Sequence, residues 1–88
     1  MYKIEILPQA DMDIRTYQKA GNKAAIKRIQ AILQELSIHP ATGIGKPEEL
    51  KHELSGYWSR RIDKKNRLIY RIEAGKVTVV IVSALGHY

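Results

Sequence analysis

Residues 46–70 read KPEELKHELSGYWSRRIDKKNRLIY, and the register of this stretch decides the fold. A polar loop, Asp63-Lys64-Lys65-Asn66, separates two runs. The second run, Arg67 to Glu73, alternates: Leu68, Tyr70 and Ile72 point one way, Arg67, Ile69 and Arg71 the other. A period of two marks a strand with one buried face. The first run, Tyr57 to Asp63, is expected to be a strand paired with it. If the loop is odd in length, Ile62 joins Leu68 on the core side, and Arg61 and Arg67 share the opposite, open face. The apolar match of Ile62 with Leu68 favours this register. It leaves Arg60 on the core side, an awkward place for a charge unless it lies at an edge.

Working outward, Ala74-Gly75 reads as a two-residue hairpin turn that sets Glu73 opposite Lys76. Val77, Val79 and Ile81 are then expected to pair with Ile72, Tyr70 and Leu68. Val77 to Val82 reads as a central strand covered on both faces. Upstream, Ser55-Gly56 is a turn, Leu50 to Leu54 a weak strand, and Ala41 to Pro47 a loop by composition. The chain opens with a strand, Tyr2 to Leu7, in which Tyr2, Ile4 and Ile6 alternate with Lys3 and Glu5. Pro8 stops it and can start a helix. Gln9 to Ala20 follows as that helix, with Ala10, Ile14 and Tyr17 on one face and Asp11 and Asp13 in the favourable first turn. Gly21 ends it, and Asn22 can cap the next. There Ile26, Ile29, Ile32, Leu33 and Leu36 recur at helical spacing as a core stripe, until His39-Pro40 closes the helix. The expected architecture is α/β (α+β): two N-terminal helices packed on one face of a mainly antiparallel, four- to five-stranded sheet whose other face is basic. Residues 1–88 are expected to form a single domain.

The chain has 88 residues and no cysteine, so neither disulfides nor a Cys-ligated zinc can staple it. The first residues, MYKIEILPQ, lack the apolar core of a signal peptide, and no apolar run has the length of a membrane span. A cytoplasmic protein that makes no use of the membrane is expected. The formal charge is +6 and the sequence pI about 9.7, a range in which nucleic acid is a natural partner. The same charge suits a solvated basic surface equally well.

The central stretch also carries chemistry-bearing groups. Glu48 and Glu49 follow Pro47, Lys51-His52 comes next, and Arg60, Arg61 and Arg67 lie beyond; the chain ends in His87-Tyr88. A carboxylate able to act as a base is thus close in sequence to fixed cations able to hold a phosphate. Each group also has a plainer reading. A glutamate after a proline can merely begin a turn or short helix, and Glu49 rivals Glu48. Arginines on strands can be solvated edge residues. A penultimate histidine can belong to a frayed end. Trp58 and Tyr70 read as packing residues, His39 as the end of its helix, and His52 as unassigned surface.

Taken together and in order, these residues resemble a family. GIGKPEELKHELSGYWSRRIDKKNRLIYRI, followed by a short strand and a terminal HY, looks like the YoeB/Txe toxins of the RelE/ParE superfamily. The resemblance is dense from Gly43 to Ile72 and at the last two residues. Before Ile38 only the order of elements and the length agree, and the tail carries Leu85-Gly86 where many members have a basic and an aromatic residue. The resemblance implies a RelE-like fold, similar to small microbial ribonucleases. It implies a type II toxin, a ribosome-dependent endoribonuclease that cuts mRNA in the ribosomal A site. It also implies an acidic cognate antitoxin of the YefM/Axe type, with a homodimer as one form open to the chain. Carried over residue by residue, Glu48 resembles the general base, His87 the general acid and Arg67 the cation holding the scissile phosphate. Arg61 and Lys51 resemble supporting charges, Lys46 a flanking RNA contact, and Tyr88 the terminal aromatic that helps place acid and substrate.

The implied chemistry is coherent. RNA is cleaved when a 2′-OH attacks the adjacent phosphorus. That needs a base for the proton, an acid for the leaving 5′-oxygen and cations for the charge on the non-bridging oxygens. Glutamate, histidine and arginine suit these tasks, with no metal or other cofactor required. Two other classes stay open. A ParE-like relative would poison a protein such as DNA gyrase, without need of a Glu-Arg-His set. A non-catalytic RNA-binding module would keep the basic face but tolerate loss of Glu48 and His87.

Overall fold

The computed structural model describes residues 1–84. The chain forms β1 (Lys3–Ile6), α1 (Pro8–Lys19), α2 (Lys23–Leu36), β2 (Glu48–Glu49), β3 (Tyr57–Arg61), β4 (Asn66–Glu73) and β5 (Lys76–Ala84). The strands lie in the order β1-β5-β4-β3-β2. β1 runs parallel to β5, while the other neighbours are antiparallel. The single parallel pair follows from chain order. The helices intervene after β1, and the meander that starts at the far edge brings β5 back beside it. Two helices on a five-stranded mixed sheet match the expected class. Among the described residues, no helix is long and apolar enough to cross a membrane.

Both helices begin where the sequence suggested. Pro8 opens α1, and the Asn22 side chain accepts a hydrogen bond from the Ala25 N–H at 3.1 Å to cap α2. Ala10 from α1 and Ala25, Ile29, Ile32 and Leu36 from α2 are buried against Ile62, Leu68, Tyr70, Val77 and Val79. Each large apolar side chain enclosed in this way contributes roughly 1.5–3 kcal/mol.

Two expected pairings need correction. The hairpin between β4 and β5 keeps the expected register from Glu73–Lys76 to Tyr70–Val79, but then shifts. Ile69 lies opposite Ile81, Leu68 opposite Val82 and Arg67 opposite Ser83. The extra residue of β5 is taken up as a β-bulge, which a strictly alternating count does not foresee. The weak strand expected at Leu50 to Leu54 is not one. The pairing residues there are Glu48 and Glu49, and His52 to Leu54 forms a 3-10 turn. His52 sits at φ 60°, which breaks any extended run. Leu50 makes the last contact, its N–H donating to the Tyr57 carbonyl at 2.8 Å.

Candidate active site on the open face of the sheet

The register of β2, β3 and β4 builds the site. Arg61 lies directly opposite Arg67, and Glu48 directly opposite Ser59. Residues facing each other across antiparallel strands point to one side of the sheet, and so do residues two apart on one strand. Glu48, Ser59, Arg61 and Arg67 therefore share the face away from the helices. Glu49 lies opposite Trp58, in register with Tyr70 on the helix side. The two adjacent carboxylates thus belong to different faces.

On the open face the Arg67 guanidinium donates from Nη1 to Ser59 Oγ at 3.2 Å and to Glu48 Oε1 at 3.3 Å. The Arg67 side chain is 11% exposed, the Glu48 side chain 62%. The cation is sunk into the sheet while the carboxylate meets solvent. Ser59, Ile69 and Thr78 are buried on this face and form its floor. Arg61 is exposed beside the pair. Lys46 is exposed two residues before Glu48, at φ 49°. Lys51 is exposed just beyond β2, where the 3-10 turn begins. Among the described residues, Lys46, Lys51 and Arg61 form no ion pair. The far end of the same face is different: Arg71 pairs with Glu73 at 3.0 Å and Lys76 with Glu5 at 3.5 Å. The Arg71 hydrogen bond holds the Glu73 carboxyl below the usual carboxylate range against the opposing effect of burial. Among the described residues, three exposed cations without an ion pair, Lys46, Lys51 and Arg61, thus lie at the Arg67 end of this face. His87 and Tyr88 lie outside the described residues. His52 and His39 are exposed.

Behind the site, Arg60 is wholly buried rather than at an edge. Its parity places it on the helix side, where it is enclosed by polar partners. Nη1 donates to the Glu35 carboxylate on α2 and to the Ile44 carbonyl at 3.2 Å. Nη2 donates to the carbonyls of His39 and, at 2.8 Å, Thr42. Nε donates to the Tyr70 hydroxyl at 3.2 Å, which itself donates to the Pro40 carbonyl at 2.6 Å. Burial pushes the Glu35 carboxyl up, but the hydrogen bonds from Arg60 and the Ile44 N–H outweigh it and leave the group below its ordinary value. Burial raises the Tyr70 hydroxyl, with the Arg60 hydrogen bond opposing.

Sequence reasoning missed Ser59 as a partner of Arg67, although its spacing of two from Arg61 was a usable signal. It also missed Glu35, whose place on the mixed face of α2 gave none.

The fold and this face define a class first: a small α/β protein with a carboxylate and exposed cations gathered on the open face of its sheet. Comparison with known proteins narrows it. Residues 8–88 match the model of the YoeB-like toxin of bacterial type II toxin-antitoxin systems. The chain is 44% identical over its full length to the full length of toxin RelK from Mycobacterium tuberculosis. It is 35% identical to toxin YoeB from Escherichia coli over 94% of this chain and 96% of that one. Among solved structures, it superposes on a toxin in a YoeB-YefM complex from Staphylococcus aureus with a TM-score of 0.82 and 36% identity, covering 100% of this chain and 99% of the other. The chain belongs to the YoeB-like toxins of bacterial type II toxin–antitoxin systems.

Proposed function

We propose that this toxin is a ribosome-dependent endoribonuclease that cuts mRNA in the A site and so stops translation. The observation that carries the reading is the pairing of Glu48 with the recessed Arg67 at the end of the open face that also holds Lys46, Lys51 and Arg61. In this reading Glu48 takes the proton from the 2′-OH. The 2′-oxygen attacks phosphorus as the P–O5′ bond breaks, and His87 protonates the leaving 5′-oxygen. The products are a 2′,3′-cyclic phosphate and a 5′-hydroxyl, with no metal needed. Arg67 holds the scissile phosphate and stabilises the charge that builds on it. Arg61 and Lys51 add supporting charge, Lys46 contacts flanking RNA, and Tyr88 helps place acid and substrate. An acidic antitoxin similar to the YefM named in the Staphylococcus aureus complexes would lay carboxylates across Lys46, Lys51, Arg61 and Arg67. A dimer is described for YoeB of the same organism, and a homodimer is a form open to this chain.

The test is cleavage on programmed ribosomes with the Glu48→Gln variant. The amide keeps the shape but cannot accept the proton, so cleavage should vanish while ribosome binding stays near wild type. Translation blocked with the message intact would instead favour a protein target.

A further inference from the structure

The strongest unassigned feature is the buried Arg60 nest, because it encloses the loop that delivers Glu48. Residues 37–47 carry no helix or strand between α2 and β2. A segment of this kind is ordinarily among the more mobile parts of a domain. Here it is tied down from inside. The carbonyls of His39, Thr42 and Ile44 all accept from one guanidinium, and the Pro40 carbonyl accepts from Tyr70, which that guanidinium also holds. The Ile44 N–H donates to Glu35 Oε1 at 2.8 Å. One residue on, the Gly45 carbonyl accepts from the Arg61 N–H at 2.7 Å. The chain then passes through Lys46 and Pro47 to Glu48.

Two glycines fit this design. A Cβ on Gly43 would fall 1.5 Å from Glu35 Oε1, the atom that Arg60 and the Ile44 N–H share. A Cβ on Gly45 would lie 2.9 Å from the Arg61 carbonyl oxygen, and both glycines have positive φ. The loop lies so close to the nest that no side chain fits between them.

We infer that Arg60 and Glu35 are positioning residues: they clamp the loop of residues 39–45 and thereby fix the Glu48 carboxylate against Arg67. The inference rests on Glu48 being the base. A base displaced by about 1 Å can lose on the order of 10²-fold in rate. The clamp thus links a core contact to a surface reaction through the backbone of residues 39–47.

Removing Arg60 outright risks unfolding, so the test uses Glu35→Gln and Gly43→Ala. The first weakens the charge-assisted bond, and the second forces the Glu35 carboxylate out of its place from the loop side. Amide hydrogen exchange over residues 44–49 and cleavage kinetics on programmed ribosomes are measured on each folded variant. Exchange should quicken by about tenfold or more, and kcat should fall by roughly 10–10²-fold, with KM changed by less than about threefold. A purely structural role would lower the melting temperature without splitting kcat from KM. Unchanged exchange in Gly43→Ala would overturn the clamp. Faster exchange with wild-type cleavage would overturn the positioning role. A wild-type chain that cuts no RNA would overturn the parent reading instead, and the exchange result would still decide whether the nest sets the Glu48 backbone.

Discussion

Arg60 and Arg61 are neighbours on β3 with the same side chain, and they have opposite fates. Arg60 is fully buried, and its Nε, Nη1 and Nη2 are all engaged by partners within the chain. Arg61 is exposed opposite Arg67 and, among the described residues, forms no ion pair. The difference is one step of strand parity. It teaches how a small basic protein divides its cations. A guanidinium that holds the fold together must have its donors occupied within the chain. One that is to meet a ligand must keep donors uncommitted. Arg67 stands between these extremes. It is recessed and bonded to Ser59, yet its carboxylate partner is largely solvent-exposed.

The largest effects that would sharpen this contrast are on cleavage. Glu48→Gln should lower the rate by roughly 10²–10⁴-fold, and Arg67→Ala by at least about 10²–10³-fold. Thermal melts of Glu48→Gln should stay close to wild type, because that side chain is 62% exposed. Full activity in Glu48→Gln would remove it as the base. The opposite profile is expected behind the sheet. Arg60→Met removes the hydrogen bonds that Arg60 donates to Glu35 and to three loop carbonyls, and should cost about 3–5 kcal/mol by urea unfolding. A melt unchanged by Arg60→Met would show that the nest is not a stabilising element, and the division of labour between the two arginines would collapse.

Much of this was legible in residues 46–70. The match of Ile62 with Leu68 placed Arg61 and Arg67 on one face, and the structure has them directly opposed. Parity also put Arg60 on the core side, but parity cannot say what waits there. The partners come from α2 and from loop carbonyls, contacts remote in sequence and invisible to a count of alternation. The same limit explains the bulge. Strict alternation paired Ile81 with Leu68, whereas Val82 takes that place. His87 itself lies outside the described residues. Its proposed role as the acid rests on the family resemblance. Deleting His87 and Tyr88 should reduce cleavage by roughly 10²-fold or more, while the melt stays near wild type. A truncated chain that cuts normally would take His87 out of the mechanism.

A pH effect separates the two faces more finely. Burial raises the Glu35 carboxyl, but its hydrogen bonds from Arg60 and the Ile44 N–H bring the net value below the ordinary 4.5. A carboxyl lowered on folding binds fewer protons in the native state than in the unfolded state. Its stabilisation is present above the unfolded value and is lost as pH falls through the folded one. Glu35→Gln should therefore be less stable than wild type at pH 7, and the gap should narrow below about pH 4.5, the unfolded reference. Urea midpoints for the two proteins across pH 2–7 test this, and a gap that widens in acid would contradict it.

The smallest effect is expected at Glu49, and it tests the comparison at the scale of a single residue. Glu48 and Glu49 are the same side chain, both exposed, one step apart along β2. Composition cannot rank them. Register can: Glu48 lies across from Ser59, beside Arg67, and Glu49 across from Trp58, on the helix side. Successive strand side chains point to opposite faces, so Glu49 cannot reach the Arg67 guanidinium without a register slip. Glu49→Gln should change cleavage by less than about twofold and stability by less than about 0.5 kcal/mol, the usual range for a surface site. Because β2 pairs through only two residues at the sheet edge, a slip is a physical possibility and not a formality. The paired measurement detects it. Loss of cleavage in Glu49→Gln with retention in Glu48→Gln would mean that β2 shifts by one residue on the ribosome, and that the parity separating the two faces is not kept in the working toxin.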